Sequence, residues 1–170
     1  MTRSADERDA AYVEYVAARQ AHLRRIAYAI CGDWHRADDV LQTALTKLYL
    51  AWPRLRDHTS PDAYVRRIIV RADIDDRRRV WRHRERAGLD GHDRAASAGL
   101  AVEERSALFE ALQALPTMQR KTVVLRYWLG LSVQETAHEL GISEGTVKSH
   151  ASRGLAGLQR VLAGAWDAGS

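Results

Sequence analysis

The chain of 170 residues is short of the residues that punctuate or cross-link a fold, with three prolines and a single cysteine. Few prolines leave helices free to run long. One cysteine, Cys31, excludes an intrachain disulfide. It sits among Ile26, Ala29 and Ile30, which fits a buried structural thiol better than a redox sensor. No alternating run of β-branched residues is long enough for a sheet. No signal peptide and no apolar run of membrane-spanning length is present, so the expected location is the cytoplasm, with no membrane partner. The seven histidines are scattered, without HExxH, CxxC or a glycine-rich phosphate loop. Asp38-Asp39 and Asp75-Asp76 are adjacent pairs that point their carboxylates about 100° apart on a helix, a poor metal site. These absences argue against a catalytic residue, a metal, a cofactor or a small-molecule substrate.

Alanine, leucine and arginine are abundant. Charged residues make up 28% and hydrophobic ones 46%, which is globular rather than disordered. The expected fold is all-α, with two small helical domains joined by a flexible linker. The net charge is only +4, but it is unevenly placed. Arg66 to Arg86 holds nine arginines against four acids, so the rest of the chain is slightly acidic. Such a block is either an electrostatic footprint for phosphate or a solvated helix face.

Periodicity predicts a first helix over Asp6 to Cys31, broken at Gly32-Asp33, with Tyr12, Tyr15, Leu23, Ile26 and Ile30 on its inner side. A second, His35 to Ala51, buries Val40, Leu41, Ala44, Leu48 and Trp52 and stops at Pro53. Ser60 caps a third, Pro61 leads it, and Tyr64, Val65, Ile68, Ile69 and Ile74 line it before the arginine block. Ala87 to Gly99 loses all periodicity. The expected domains are 1–86 and 103–170, with 87–102 as the tether. In the second, Leu108, Ala111, Leu112 and Leu115 form a stripe ended by Pro116. A helix over Thr117 to Leu129 follows, carrying Val123, Val124, Tyr127 and Trp128.

The next segment, SVQETAHELGISEGTVKSHASRGLAGL, spells a helix-turn-helix. Ser132 and Glu135 form a capping box, and Val133, Ala137 and Leu140 share one face. Gly141 supplies the positive φ of the turn, Ile142 fills the angle, and Ser143 caps the second helix. Val147, Ala151, Leu155 and Leu158 point inward, leaving Lys148, Ser149, Ser152 and Arg153 outward, as a major-groove reader requires.

These residues resemble a known family. LPTMQRKTVVLRYWLGLSVQETAHELGISEGTVKSHASRGLAGL is similar to the promoter −35 reading domain of bacterial sigma factors. HRADDVLQTALTKLYLAW resembles their core-polymerase-binding helix, and SPDAYVRRIIVRADIDDRRR the helix that reads and opens the −10 element. Two domains, a short linker and this length point to the extracytoplasmic-function type. The resemblance implies core RNA polymerase and promoter DNA as partners, and an anti-sigma factor as a further one that no residue here demands.

It also implies site residues. Asp38, Asp39, Leu41 and Gln42 match the polymerase-binding pattern, with Thr43 in a slot that is often acidic. The first two acids also suit the helix dipole. Arg54 to Thr59, including His58 and Thr59, corresponds to the loop that receives a base flipped from the non-template strand. Flipping costs a few kcal/mol, which flanking phosphate contacts must offset. Arg66, Arg67, Arg71, Arg77 and Arg78 are the candidates for −10 contact. Arg71 stands where asparagine is frequent, and Tyr64 where tryptophan is. Trp81 stacks on a base or, more in keeping with its place, packs on its own domain. Gly145, Thr146, Lys148, Ser149, His150, Ser152 and Arg153 match the −35 positions, with His150 where arginine is frequent. Gly145 permits close approach of backbone amides to phosphate, and Lys148 and Arg153 reach guanine or phosphate. The alternatives are a LuxR-type helix-turn-helix regulator, whose end domain has similar letters, and a helical interaction module without DNA affinity.

Overall fold

The computed structural model describes residues 4–55, 60–87 and 107–167. They form seven α-helices and, among the described residues, no strand. Two compact units divide at Asp90 and Gly91. His58 and Thr59 lie outside the described residues, as does the expected tether apart from Ala87, which closes the third helix.

The first unit is built from α1 (Ala5–Cys31), α2 (Trp34–Ala51), a 3-10 turn (Trp52–Arg54) and α3 (Pro61–Ala87). Local signals set its ends. Ser4 and Glu7 make a capping box at the start of α1, with bonds of 3.3 and 3.2 Å. Gly32, at φ 77°, ends α1 in the left-handed region, and its N–H donates to the Tyr28 carbonyl at 2.7 Å. One residue later the Asp33 carboxylate accepts from the Arg36 N–H at 2.9 Å and opens α2.

The core of this unit joins Leu23, Ile26 and Ile30 of α1 to Val40, Leu41, Ala44 and Leu48 of α2 and Val65, Ile69 and Val70 of α3, all buried. Each large aliphatic side chain removed from water contributes about 1.5–3 kcal/mol. Tyr64, Ile68, Ile74 and Trp52, expected inside, are only half-buried, and Val70 takes the place next to Ile69. A polar contact crosses this core where apolar spacing has nothing to say. Asp73 is fully buried, and its carboxylate meets the Arg36 guanidinium at 2.9 Å. A second Arg36 bond reaches the Asp73 carbonyl at 2.7 Å, tying the start of α2 to the middle of α3.

The second unit contains α4 (Ala107–Ala114), α5 (Thr117–Val123), a π turn (Val124–Trp128), α6 (Val133–Leu140) and α7 (Glu144–Asp167). The helix expected over 117–129 is therefore not uniform. At Val124 it widens, and the Leu129 N–H donates to the Val124 carbonyl, five residues back, at 3.0 Å. A π turn advances the register relative to an α-helix. On this turn Tyr127 is 54% exposed. Arg126 donates to the Leu131 carbonyl and so braces the entry to α6.

The helix-turn-helix forms as its letters predict. Ser132 and Glu135 exchange capping bonds of 3.0 and 2.7 Å. Gly141 turns the chain at φ 67°, and the Ser143 hydroxyl accepts from the Thr146 N–H at 3.1 Å. Two expected core leucines are corrected. Leu155 is at the exposed surface, and Leu108 is 49% exposed. The inward stripe of α7 runs instead through Val147, Ala151, Gly154 and Leu158. The reason is the close approach of α5. A Cβ on Gly154 would lie 2.5 Å from Val123 Cγ2 and 3.2 Å from the Gln119 carbonyl oxygen, so hydrogen alone fits there.

Candidate nucleic-acid and protein interfaces

On α7, Val147 is fully buried and fixes the helix against its unit, which turns the next residues outward. Gly145, Lys148, Ser152 and Arg153 are exposed, and Thr146, Ser149 and His150 are half-buried. Residues 145, 148, 149, 152 and 153 share one face at helical spacing. The Thr146 hydroxyl lies 2.8 Å from that of Ser143, so it belongs to the cap as well as to the surface. His150 holds its Nδ1 buried without a hydrogen-bond partner.

On α2, Asp39 and Gln42 are exposed, and Asp38 is half-exposed. Arg24 grips Asp38 with bonds of 2.7 and 3.3 Å. The same guanidinium lies 4.3 Å over the Trp34 ring, which stacks on Tyr28 at 3.9 Å. Asp38 is thus held at the junction of α1 and α2, while Asp39 and Gln42 face outward beside it. Leu41 requires a correction as a polymerase contact. It is 2% exposed and belongs to the core, because its position faces α1 and α3 rather than solvent. The outer face continues through Thr43, already noted in the sequence, and through three residues that the sequence reading missed, Thr46, Tyr49 and Leu50. Thr43, Thr46, Tyr49 and Leu50 are exposed, Leu50 by 69%. Positions 39, 42, 43, 46, 49 and 50 follow one helical stripe, and that spacing was the signal available.

On α3, Arg67, Arg71 and Arg78 are exposed and fall, with Arg82, along one stripe; Arg66 is half-buried. Arg54 is exposed on the 3-10 turn. The side chains of Arg77 and Trp81 lie outside those described. At the head of α3 stands a cluster that no motif announced. The Asp62 carboxylate accepts from the Tyr15 hydroxyl at 2.6 Å and from Arg19 at 3.2 and 2.5 Å. Burial alone would raise the Asp62 carboxyl. The hydrogen bonds from Arg19 and Tyr15, with the Arg19 and His22 charges, outweigh it and hold the group below its ordinary value of 3.8. Burial first, and then the bond to Asp62, push the Tyr15 hydroxyl well above its usual range.

A depressed carboxyl stabilises the folded state above its unfolded-state value, and that stabilisation is lost as pH falls through the lower folded value. Acid titration of urea unfolding is therefore expected to show a decline in stability below about pH 4 that Asp62→Asn flattens. An identical acid limb in the variant would remove Asp62 from the account.

Among the described residues, no group of three or more histidines, cysteines or acids is placed to hold a metal ion, and no helix is long and apolar enough to cross a membrane. A capped helix-turn-helix with a polar, basic outer face, and a second helical unit with an arginine stripe, are together the features of a DNA-binding protein. Comparison with known proteins agrees in both halves. Residues 15–83 match sigma-70 region 2, and residues 105–158 match sigma-70 region 4. The chain is 38% identical over 155 residues to the RNA polymerase sigma-E factor of Streptomyces coelicolor, covering 89% of this chain and 85% of that protein. It is 35% identical over 140 residues to the ECF RNA polymerase sigma factor SigM of Mycobacterium tuberculosis, covering 82% and 71%. Its fold is similar to that of the sigma factor RpoE from Bartonella quintana, solved with the anti-sigma factor NepR. That likeness has a TM-score of 0.66 at 22% identity and covers 89% of this chain and 96% of the other. The chain belongs to the extracytoplasmic-function sigma factors of the sigma-70 family. It is accordingly a factor that recruits core RNA polymerase to promoter DNA for initiation. The region 2 match separates it from the LuxR-type regulators whose helix-turn-helix it also resembles.

Proposed function

We propose that the two units divide promoter recognition between them. Residues 1–86 bind core polymerase and the −10 element, 87–102 tether, and 103–170 bind the −35 element. The observation that carries this reading is the pair of exposed basic faces, one on α7 and one on α3, each backed by a buried stripe of its own unit. Lys148 and Arg153, with Ser149 and Ser152, reach base edges in the major groove. Gly145, Thr146 and His150, on the first two turns of α7, position the helix on the backbone. Arg67, Arg71 and Arg78, with Arg66, Arg77 and Arg54, neutralise phosphates around the melted −10 strand, and His58 and Thr59 belong to the loop that takes the flipped base. Asp39 and Gln42 meet the polymerase, with Asp38 ordered beside them by Arg24.

The polymerase performs the chemistry; this chain contributes no catalytic residue and acts in the cytoplasm, where polymerase and promoter are. An anti-sigma factor is a further partner in this reading, supported by the solved pairing of RpoE with NepR.

Arg153→Ala is expected to weaken −35 discrimination by about 1–3 kcal/mol if Arg153 reads a base. Binding to duplexes with single −35 substitutions measures it. An equal loss on every duplex would make Arg153 a phosphate contact. Chromatin mapping of bound promoters tests the division as a whole. A two-part consensus supports it, and a consensus with only one element contradicts it.

A further inference from the structure

The 3-10 turn and α3 are joined by the segment that the reading above assigns to the flipped base. Both ends of this segment rest on the same stretch of α1. At the upstream end, the Trp52 ring packs against Tyr12 and Tyr15, with centroids 5.5 Å away in each case. Tyr12 is itself fixed by a bond to the Leu45 carbonyl at 2.9 Å. At the downstream end, Asp62 stands in the first turn of α3 and accepts from Tyr15 and Arg19. Tyr15 therefore touches both ends, its ring on Trp52 and its hydroxyl on Asp62. Arg19, one turn further along α1, grips the second carboxylate oxygen.

We propose that Tyr15 and Arg19 are positioning residues for −10 recognition, stapling Trp52 to Asp62 so that the turn and the head of α3 keep a fixed separation. The proposal rests on the assignment of the −10 element to this unit. A flipped base is discriminated only when the strand that carries it is held in register, within about 0.5 Å of its productive place, and phosphate contacts on a helix whose first turn swings cannot hold it there. Arg67 and Arg71 lie on the turns immediately after Asp62, so any displacement of the head of α3 moves them directly. The interactions are spent on position. Tyr15 and Arg19 direct their hydrogen bonds to Asp62, and the Tyr15 ring packs on Trp52.

Two substitutions separate this role from a merely stabilising one. Tyr15→Phe removes one oxygen atom and leaves the ring on Trp52. Arg19→Gln removes the guanidinium and leaves the Tyr15 bond, and Arg19→Lys keeps the charge for a rescue. Each full-length protein is assembled with core polymerase and given a promoter library randomised across the −10 and −35 elements, and the transcribed templates are sequenced. Thermal unfolding and the yield of assembled holoenzyme are measured in parallel.

Tyr15→Phe and Arg19→Gln are expected to flatten base preference in the −10 element by about tenfold, the lower end of the worth of one hydrogen bond to a charged group. Preference in the −35 element and holoenzyme yield stay as in the wild type, and Arg19→Lys recovers part of the loss. Unchanged −10 preference in both variants overturns the proposal. So does a uniform fall across both elements, which is the signature of lost stability alone. A wild-type protein without any −10 preference would overturn the assignment of the −10 element itself, and the staple with it.

Discussion

Asp39→Arg combined with Gln42→Ala is expected to abolish binding to core RNA polymerase while the chain stays folded. Both side chains are exposed on α2 and contribute nothing to the buried seam with α1 and α3, so neither change opens a cavity. Surface substitutions of this kind shift stability by only about 0.5 kcal/mol. At the interface the effect is of another size. Reversing a charge that faces a complementary surface costs several kcal/mol, which is about a hundredfold or more in affinity. Fluorescence titration of labelled core polymerase measures the loss, and circular dichroism confirms the helices. Retained binding would move the interface off this face of α2. Leu41→Ala supplies the contrast, because Leu41 is buried. It would lose about 2–5 kcal/mol of stability through the cavity and fail by unfolding.

The second large effect concerns Gly154. Any side chain there meets the Gln119 carbonyl as well as Val123, and a backbone oxygen in a helix does not rotate away. Gly154→Val is expected to destabilise the second unit by about 3 kcal/mol, the upper part of the usual range for overpacking, and to abolish −35 binding. Gly157 gives the internal control. A Cβ there meets the far end of Leu115, at 2.6 Å, and of Arg160, at 3.9 Å, both flexible side-chain ends that can move. Gly157→Ala should thus be near neutral, the better helix propensity of alanine offsetting the repacking. Denaturant midpoints of the isolated substitutions in the full chain decide between them. Equal destabilisation at the two sites would contradict the close approach of α5 and α7.

What was legible in the sequence was whatever is local. The capping box at Ser132 and Glu135, the left-handed turn at Gly141 and the cap at Ser143 each involve residues within a few positions of one another, and all form. The buried Val147 follows from the same short-range pattern. The errors fall where the third dimension decides. Leu155 looked like core because leucine at i+8 from Val147 fits a helical stripe. The approach of α5 instead brings a backbone so near that the stripe runs through Gly154. The helix read as uniform over 117–129 widens into a π turn at Val124–Trp128, and no residue type in VLRYW announces that turn.

The charged contacts were less legible still. Arg36 and Asp73 are 37 positions apart, and Tyr15 and Asp62 47, so no window along the chain contains both partners. The candidate DNA face of α7 could be read from spacing, since it is one helix. The exposed face of α2, proposed to meet the polymerase, was read one residue too deep at Leu41, and its exposed stripe runs on to Tyr49 and Leu50. A helix in a three-helix unit buries a broad stripe, and only packing shows where its edge lies.

The central claim is that this chain makes core polymerase competent at promoters with two elements. Run-off transcription with purified chain and core polymerase, on templates carrying promoters found by chromatin mapping, tests it most directly. The account predicts a defined start on the intact promoter and its loss when either the −35 or the −10 element is replaced. Transcription no greater than that of core polymerase alone, or a start that survives replacement of both elements, would contradict it.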